Sequence, residues 1–301
     1  MASALRNAVP WWMRIGIKIA LARLPIPYGF WKKLHLFEHG DMNRPQRSLD
    51  NFLKHAEMAG VLEPKSDFPQ LKAGDDEFVV LEIGPGDSLF SALIAHALGA
   101  SSTWLVDAGA YAGTDTLAYG NLAKLLREKG ADLPFDLNSM QLPEILKLCG
   151  GKYLTQGVES LSEIPKASVD YCFSNAVLEH IPKTDFSKMI GEMARVMKPG
   201  GVIVHRVDLK DHLGGGLNNL RFTESRWESA IFRNSGFYTN RIRFNEMVVS
   251  FENAGFSCNV QRTARWSKLP LPRRQMDESF QKLPDEDLLV SSFDIVMRCA
   301  G

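Results

Sequence analysis

Residues 78–86 read Phe-Val-Val-Leu-Glu-Ile-Gly-Pro-Gly, an apolar run interrupted only by Glu82 and closed by two glycines. Such a run suits a strand buried on both faces, and residues 88–98 continue at helical period directly after it. Glycines at 84 and 86 let the backbone turn sharply and let a ligand approach without meeting a Cβ. The first amides of the following helix point into the same space. A strand, a glycine turn and a helix in that order commit the chain to an α/β unit with a binding loop at the strand's carboxyl end.

The alternation continues downstream. Residues 103–107 read as a second strand, 116–129 as a helix, 152–155 as a third strand and 169–174 as a fourth. Residues 186–197 form a helix and 202–208 a fifth strand, behind the turn Lys198-Pro199-Gly200-Gly201. A helix over 244–254 and strands over 256–262 and 292–298 complete the series. The pattern implies a mostly parallel sheet covered on both faces, with ligands at the carboxyl ends of the strands. Upstream, 11–24 and about 46–59 read as helices, the second ended by Gly60. The expected organisation is an N-terminal helical segment over 1–63, a linker over 64–77 and an α/β domain over 78–301. That domain has long insertions at 130–151 and 209–243, the first read as the other side of the cleft.

Charge and cysteine narrow the function. The 35 basic and 35 acidic side chains cancel, so no nucleic-acid partner is expected. Cys149, Cys172, Cys258 and Cys299 form no Cys-x-x-Cys pair and read as core fillers of a reducing compartment, with no metal site expected. No uncharged apolar stretch reaches the roughly 18 residues a membrane span needs. The apolar N-terminus is broken by Arg14 and Lys18 and lacks a small-residue cleavage site, so a cytoplasmic chain is expected.

The glycine loop discriminates between ligands. A dinucleotide fold needs Gly-x-Gly-x-x-Gly, but the third glycine position is Leu89, and Glu82 would sit beside a pyrophosphate. A ligand carrying an ammonium and a sulfonium instead makes use of Glu82. Asp107 ends the second strand 21 residues after Gly86, where a carboxylate can accept hydrogen bonds from both ribose hydroxyls.

Three segments carry a family resemblance: Leu81-Glu82-Ile83-Gly84-Pro85-Gly86, Phe173-Ser174-Asn175-Ala176-Val177-Leu178-Glu179-His180 and Ala194-Arg195-Val196-Met197-Lys198-Pro199-Gly200-Gly201. In order and spacing they resemble the first, fourth and fifth motifs of class I S-adenosylmethionine methyltransferases, type 11 in particular, over roughly residues 76–208. The resemblance implies a Rossmann-like seven-stranded sheet with its last strand antiparallel. It implies S-adenosylmethionine as cofactor, with Glu82, Gly84, Pro85 and Gly86 at the methionine end, Asp107 on the ribose, and Asn175 in the cofactor set. One motif departs from the family: the aspartate expected near the adenine amine is replaced by Gly157, leaving Glu159 or the Val158 backbone to serve.

Methyl transfer to a hydroxyl is helped by a general base, and His180, Asp208 and the pair Asp211-His212 fall on loops at the expected face. Asp211 with His212 resembles a base and its orienting carboxylate, whereas His205 within a strand reads as a buried, satisfied ring. Asn-Pro-Pro-Tyr, the run of many enzymes that methylate amide or base nitrogens, is absent, so oxygen is the expected acceptor. Transfer to nitrogen of a small molecule and non-catalytic cofactor binding remain alternatives. In 209–243 five arginines at 221, 226, 233, 241 and 243 stand among Phe222, Trp227, Phe232, Phe237 and Tyr238. They read either as a pocket for an anionic, ring-bearing acceptor, with Arg241 and Arg243 as substrate ligands beside Asp208, or as solvated cap residues.

Six positive charges, Arg6, Arg14, Lys18, Arg23, Lys32 and Lys33, precede the first acidic residue, Glu38, interleaved with Trp11, Trp12, Tyr28, Phe30 and Trp31. Residues 11–33 therefore read either as a membrane-interface segment at the inner membrane face or as a lid with its basic residues facing water. Tracts at 31–55, 205–212 and 239–243 look similar to methyltransferases of bacterial surface-polysaccharide pathways, which implies a saccharide or lipid-linked saccharide acceptor.

Overall fold

The computed structural model describes residues 10–22, 43–63, 68–72, 77–137 and 139–299. Seven strands form one sheet: β1 Val79–Ile83, β2 Ser102–Val106, β3 Gly151–Leu154, β4 Val169–Asn175, β5 Met197–Asp208, β6 Phe256–Arg265 and β7 Val290–Cys299. Their order is β3-β2-β1-β4-β5-β7-β6. The first six run parallel, and β7 inserts antiparallel between β5 and β6. The expected Rossmann-like α/β sheet with its last strand reversed is what forms. Strand order turns back between β1 and β4, so the cleft for a ligand opens at their carboxyl ends.

The strands form because alternate side chains feed two apolar layers. Val80, Tyr171, Phe173 and Val204 face one layer, with Leu49 and Phe52 from the helix α2 Pro45–Ala59 and Phe90 and Leu93 from α3 Phe90–Ala97. Leu81, Ile83, Cys172, Ile203 and Ile295 face the other, with Phe186, Met189 and Met193 of Lys183–Val196. Because every β1 residue is buried, Glu82 is carried into the interior with its strand.

Three sequence expectations change. The N-terminal helices do not act as one cap. α1, Trp11–Ala22, packs on the 209–243 insertion, whereas α2 buries Leu49, Phe52 and Ala56 on the sheet itself. α2 begins with Pro45 in its first turn and ends on Gly60 in a left-handed conformation (φ 70°), as expected. Gln70–Leu71 of the linker pairs antiparallel with Leu62–Glu63 at the end of the N-terminal segment, while residues 64–67 and 73–76 lie outside the described residues. Insertion 130–151 is not a wall of the cleft. It joins the end of the helix Thr116–Glu128 to the start of β3, at the amino edge of the sheet, where Phe135 packs on His96 and Leu146 lies against Gly151. In addition, Lys198–Gly201 sit inside β5 as an irregularity, since Val169 pairs with Met197 and Tyr171 with Val202.

Candidate active site

The loop after β1 is bound to the end of β2 by its own amides. Gly84 N donates to Val106 O at 2.8 Å, and Gly86 N donates to Asp107 Oδ2 at 2.9 Å. The second Asp107 oxygen accepts from Ala108 N at 2.8 Å. Gly84 and Gly86 both take positive φ, 73° and 67°, a conformation costly for any residue with a Cβ. Gly84 has a second constraint: a Cβ there would lie 2.4 Å from Val177 Cγ2 on the loop after β4. The glycine thus admits a neighbouring side chain as well as a ligand, and the β1 and β4 loops interlock at this point.

Glu82 is almost fully buried, and its Oε2 has no hydrogen-bond partner. Loss of solvation pushes its carboxyl up to about 8; the Ser91 hydroxyl opposes the shift and the nearby Asp107 charge adds to it. The two acids sensed in the sequence therefore share one neighbourhood. A buried, underpartnered carboxylate beside a glycine cradle fits the ammonium end of a cationic nucleoside and disfavours a phosphate. On the ribose side, the Tyr153 hydroxyl donates to Gly109 O at 2.9 Å and accepts from Tyr111 N at 3.2 Å, so it shapes the loop after Asp107. Neither tyrosine stood out in the sequence.

The replaced adenine motif is built differently from expectation. Gly157, at φ 60°, donates its amide to Asp107 O at 2.8 Å and opens a 3-10 helix over Gly157–Glu163. The Glu159 side chain is two-thirds exposed and ion-paired with Lys188 on the outer face, so it is not placed as an adenine anchor. Val158 packs its side chain on the second apolar layer. Asn175 ends β4, and Ala176 after it takes φ 56°, a strained turn at the switch point.

The loops after β4 and β5 bring together the histidines and acids singled out in the sequence. The imidazoles of His180 and His212 are both exposed and lie with ring centroids 4.9 Å apart. His180 Nδ1 pairs with Tyr238 O at 3.1 Å; since a carbonyl only accepts, Nδ1 carries the proton of that bond. Asp211 does not orient His212. Its Oδ1 accepts from Leu213 N and Gly215 N, and its Oδ2 from Asn218 N and Asn218 Nδ2, so the carboxylate holds the 211–218 loop in shape. Asp208 ends β5 with a side chain 31% exposed, bound to Lys210. His205 is buried as expected but only half satisfied: Ser174 Oγ lies 2.7 Å from its Nδ1, Nε2 has no hydrogen-bond partner, and burial pushes its pKa down to about 3.

Glu179 lies in the short 3-10 helix Leu178–His180 after β4. It is buried, both carboxyl oxygens lack hydrogen-bond partners, and burial first, then the charge of Asp208, raise it to about 8. An acid between the apolar Leu178 and a histidine just beyond a strand end was the signal available.

Arg241 and Arg243 are not substrate ligands. Arg241, with φ 60°, donates to Phe222 O and to Glu224, and its guanidinium lies between the Trp227 and Phe280 rings, 5.4 and 5.1 Å from their centroids. Arg243 is fully buried and donates to the carbonyls of Leu209, Asp287, Leu288 and Val290. Arg221, Arg226 and Arg233 are likewise engaged, with Trp11 and Asn218, with the Phe222 and Phe232 rings, and with Glu228. Trp227, Phe232, Phe237 and Tyr238 form the insertion's own core. The 209–243 insertion is a packed cap, not an anion pocket.

Residues 81–205, the span that includes the glycine loop, both acids and the β4 loop, match the family model of a methyltransferase domain. Over residues 81–205 the chain carries a methyltransferase domain. It is therefore an enzyme whose cofactor is S-adenosylmethionine. No curated protein matches the methyltransferase. Among solved structures, the YcgJ protein from Bacillus subtilis is 16% identical, with 75% of this chain and 93% of that one covered at a TM-score of 0.41. Phosphoethanolamine N-methyltransferase 2 from Haemonchus contortus, in complex with S-adenosyl-L-methionine, is 17% identical, with 84% and 53% covered at 0.45. The arsenic (III) methyltransferase from Chlamydomonas reinhardtii is 16% identical, with 81% and 70% covered at 0.41.

Proposed function

We propose that this methyltransferase transfers its methyl group to a hydroxyl oxygen of a small molecule, a sugar or lipid-linked saccharide. The observation that carries the reading is His180, an exposed imidazole at the strand carboxyl edge whose ring is held by Nδ1 against Tyr238 O, as a histidine positioned for proton transfer requires. Bound S-adenosylmethionine supplies a methyl already activated on a sulfonium. The protein's own task is to orient the acceptor and take its proton as the C–O bond forms. Glu82 and the amides of the β1 loop hold the amino-acid end, and Asp107 exchanges its backbone partners for ribose hydroxyls. Asp208 and the two exposed imidazoles give the acceptor mouth polar groups suited to sugar hydroxyls. Asn175-Ala176-Val177-Leu178 stands where nitrogen methylators often carry Asn-Pro-Pro-Tyr, which also favours oxygen.

The test is incubation of the purified enzyme with methyl-labelled cofactor and two acceptor sets, nucleotide- or lipid-linked sugars and small primary amines. Product analysis by mass spectrometry and NMR is expected to show a methoxy group on a sugar. Label on nitrogen, or cofactor turnover with neither set, overturns the oxygen assignment.

A further inference from the structure

The helix α1 is turned the opposite way from a lid that meets water. Trp11, Ile15 and Ile19 pack onto the cap core of Leu213, Trp227, Phe232 and Phe237. Lys18 Nζ also points inward, donating to His212 O at 3.2 Å and Gly236 O at 3.3 Å, and the Arg14 guanidinium lies beside Gly214. Solvent meets Trp12, Met13, Gly16, Ile17 and Ala20, a stripe at helical spacing without one polar side chain. Trp12, Met13 and Ile17 are 59%, 41% and 47% exposed, and Ile231 on the same cap is 52% exposed. The expectation of basic residues facing water is thus reversed. An exposed apolar stripe in a segment of net positive charge suits a surface that is apolar below and anionic above.

We infer that α1 is a membrane-docking element, lying in the interfacial layer of an anionic bilayer with the cap on its surface. Charge selects a bilayer over a second copy of this chain. The first 37 residues carry Arg6, Arg14, Lys18, Arg23, Lys32 and Lys33 and no acid, whereas the whole chain is balanced. A two-fold contact through α1 would set two such segments against each other, whereas anionic headgroups complement both. Twelve residues of helix span about 18 Å, too short to cross a bilayer and long enough to lie in its surface. Lys18 joins α1 to the carbonyl of His212, so docking brings the acceptor-side loop to the membrane. The inference does not depend on the acceptor's identity.

The experiment is co-sedimentation of the full chain with vesicles of phosphatidylcholine alone, or with about one-third phosphatidylglycerol. The native chain is expected to partition onto anionic vesicles, less so at high salt. The variant W12S/I17S, altered only on the outward stripe, is expected to bind them about tenfold more weakly while keeping its calorimetric affinity for S-adenosylmethionine. A native chain that stays in the supernatant overturns the inference, as does undiminished partitioning of W12S/I17S. A dimer in gel filtration that W12S/I17S dissolves, without vesicle binding, assigns the stripe to a second copy instead.

Discussion

The amide of Gly86 donates to Oδ2 of Asp107 across 2.9 Å, joining the loop after β1 to the end of β2. Asp107 is a brace in the ligand-free chain, and the proposed function makes it a ribose ligand as well. D107A removes both functions. Two hydrogen bonds to a charged acceptor are worth about 3 kcal/mol together, so affinity for S-adenosylmethionine falls roughly a hundredfold. Isothermal calorimetry measures it, and unchanged affinity removes the ribose role.

Glu82 predicts a proton signature. Burial raises its carboxyl from 4.5 to about 8, so at pH 7 it is mostly protonated without ligand. A neighbouring ammonium favours the carboxylate, and cofactor binding at pH 7 should release about one proton. Calorimetry in two buffers of different ionisation enthalpy reads this, and E82Q should abolish it. The stability sign follows from the same shift. Because the folded value lies above the unfolded one, the stabilisation present below pH 4.5 is lost as pH rises through 8. The melting temperature of the ligand-free protein therefore falls over that window, less steeply in E82Q.

The parts legible in the sequence were those set by local chemistry. The β1 run, its two glycines and the acid at the end of β2 announce themselves because backbone conformation and charge are written in residue type. Side-chain destinations are not. Asp211 looked like a catalytic carboxylate until the folded loop showed four donors converging on it. Arg241 and Arg243 looked like substrate ligands because nothing local reveals that Phe280 or Val290 will return beside them. Glu179 escaped notice for the same reason, since its significance is burial near Asp208, a residue of another strand.

Gly84 predicts a repairable defect. G84A places a Cβ 2.4 Å from Val177 Cγ2 and keeps φ at 73°. Left-handed strain and overpacking together cost about 2–4 kcal/mol. Adding V177A relieves the clash but not the strain, so the double variant should melt above G84A and below the native protein. Equal melting temperatures for G84A and the double variant would show that Val177 is not the obstacle.

His180 separates chemistry from binding. As the proton acceptor its loss slows turnover by about a hundredfold in H180A, while S-adenosylmethionine affinity stays unchanged. H212A, which removes the ring tilted beside His180 at 4.9 Å between centroids, should fall less. Equal loss of turnover and cofactor affinity in H180A would make the ring a packing residue.

Arg243 gives the opposite pattern, because its guanidinium ends four separate carbonyls in the interior. R243A leaves those acceptors buried and unpaired, at about 1–3 kcal/mol each before relaxation, and partial collapse brings the net loss to about 3–5 kcal/mol. The acceptor KM, measured below the lowered melting temperature, should stay within about twofold of native, since no atom of Arg243 is positioned toward the acceptor mouth. Thermal denaturation alongside initial-rate kinetics decides the matter. A raised KM with an unchanged melting temperature would restore the substrate role that the sequence suggested.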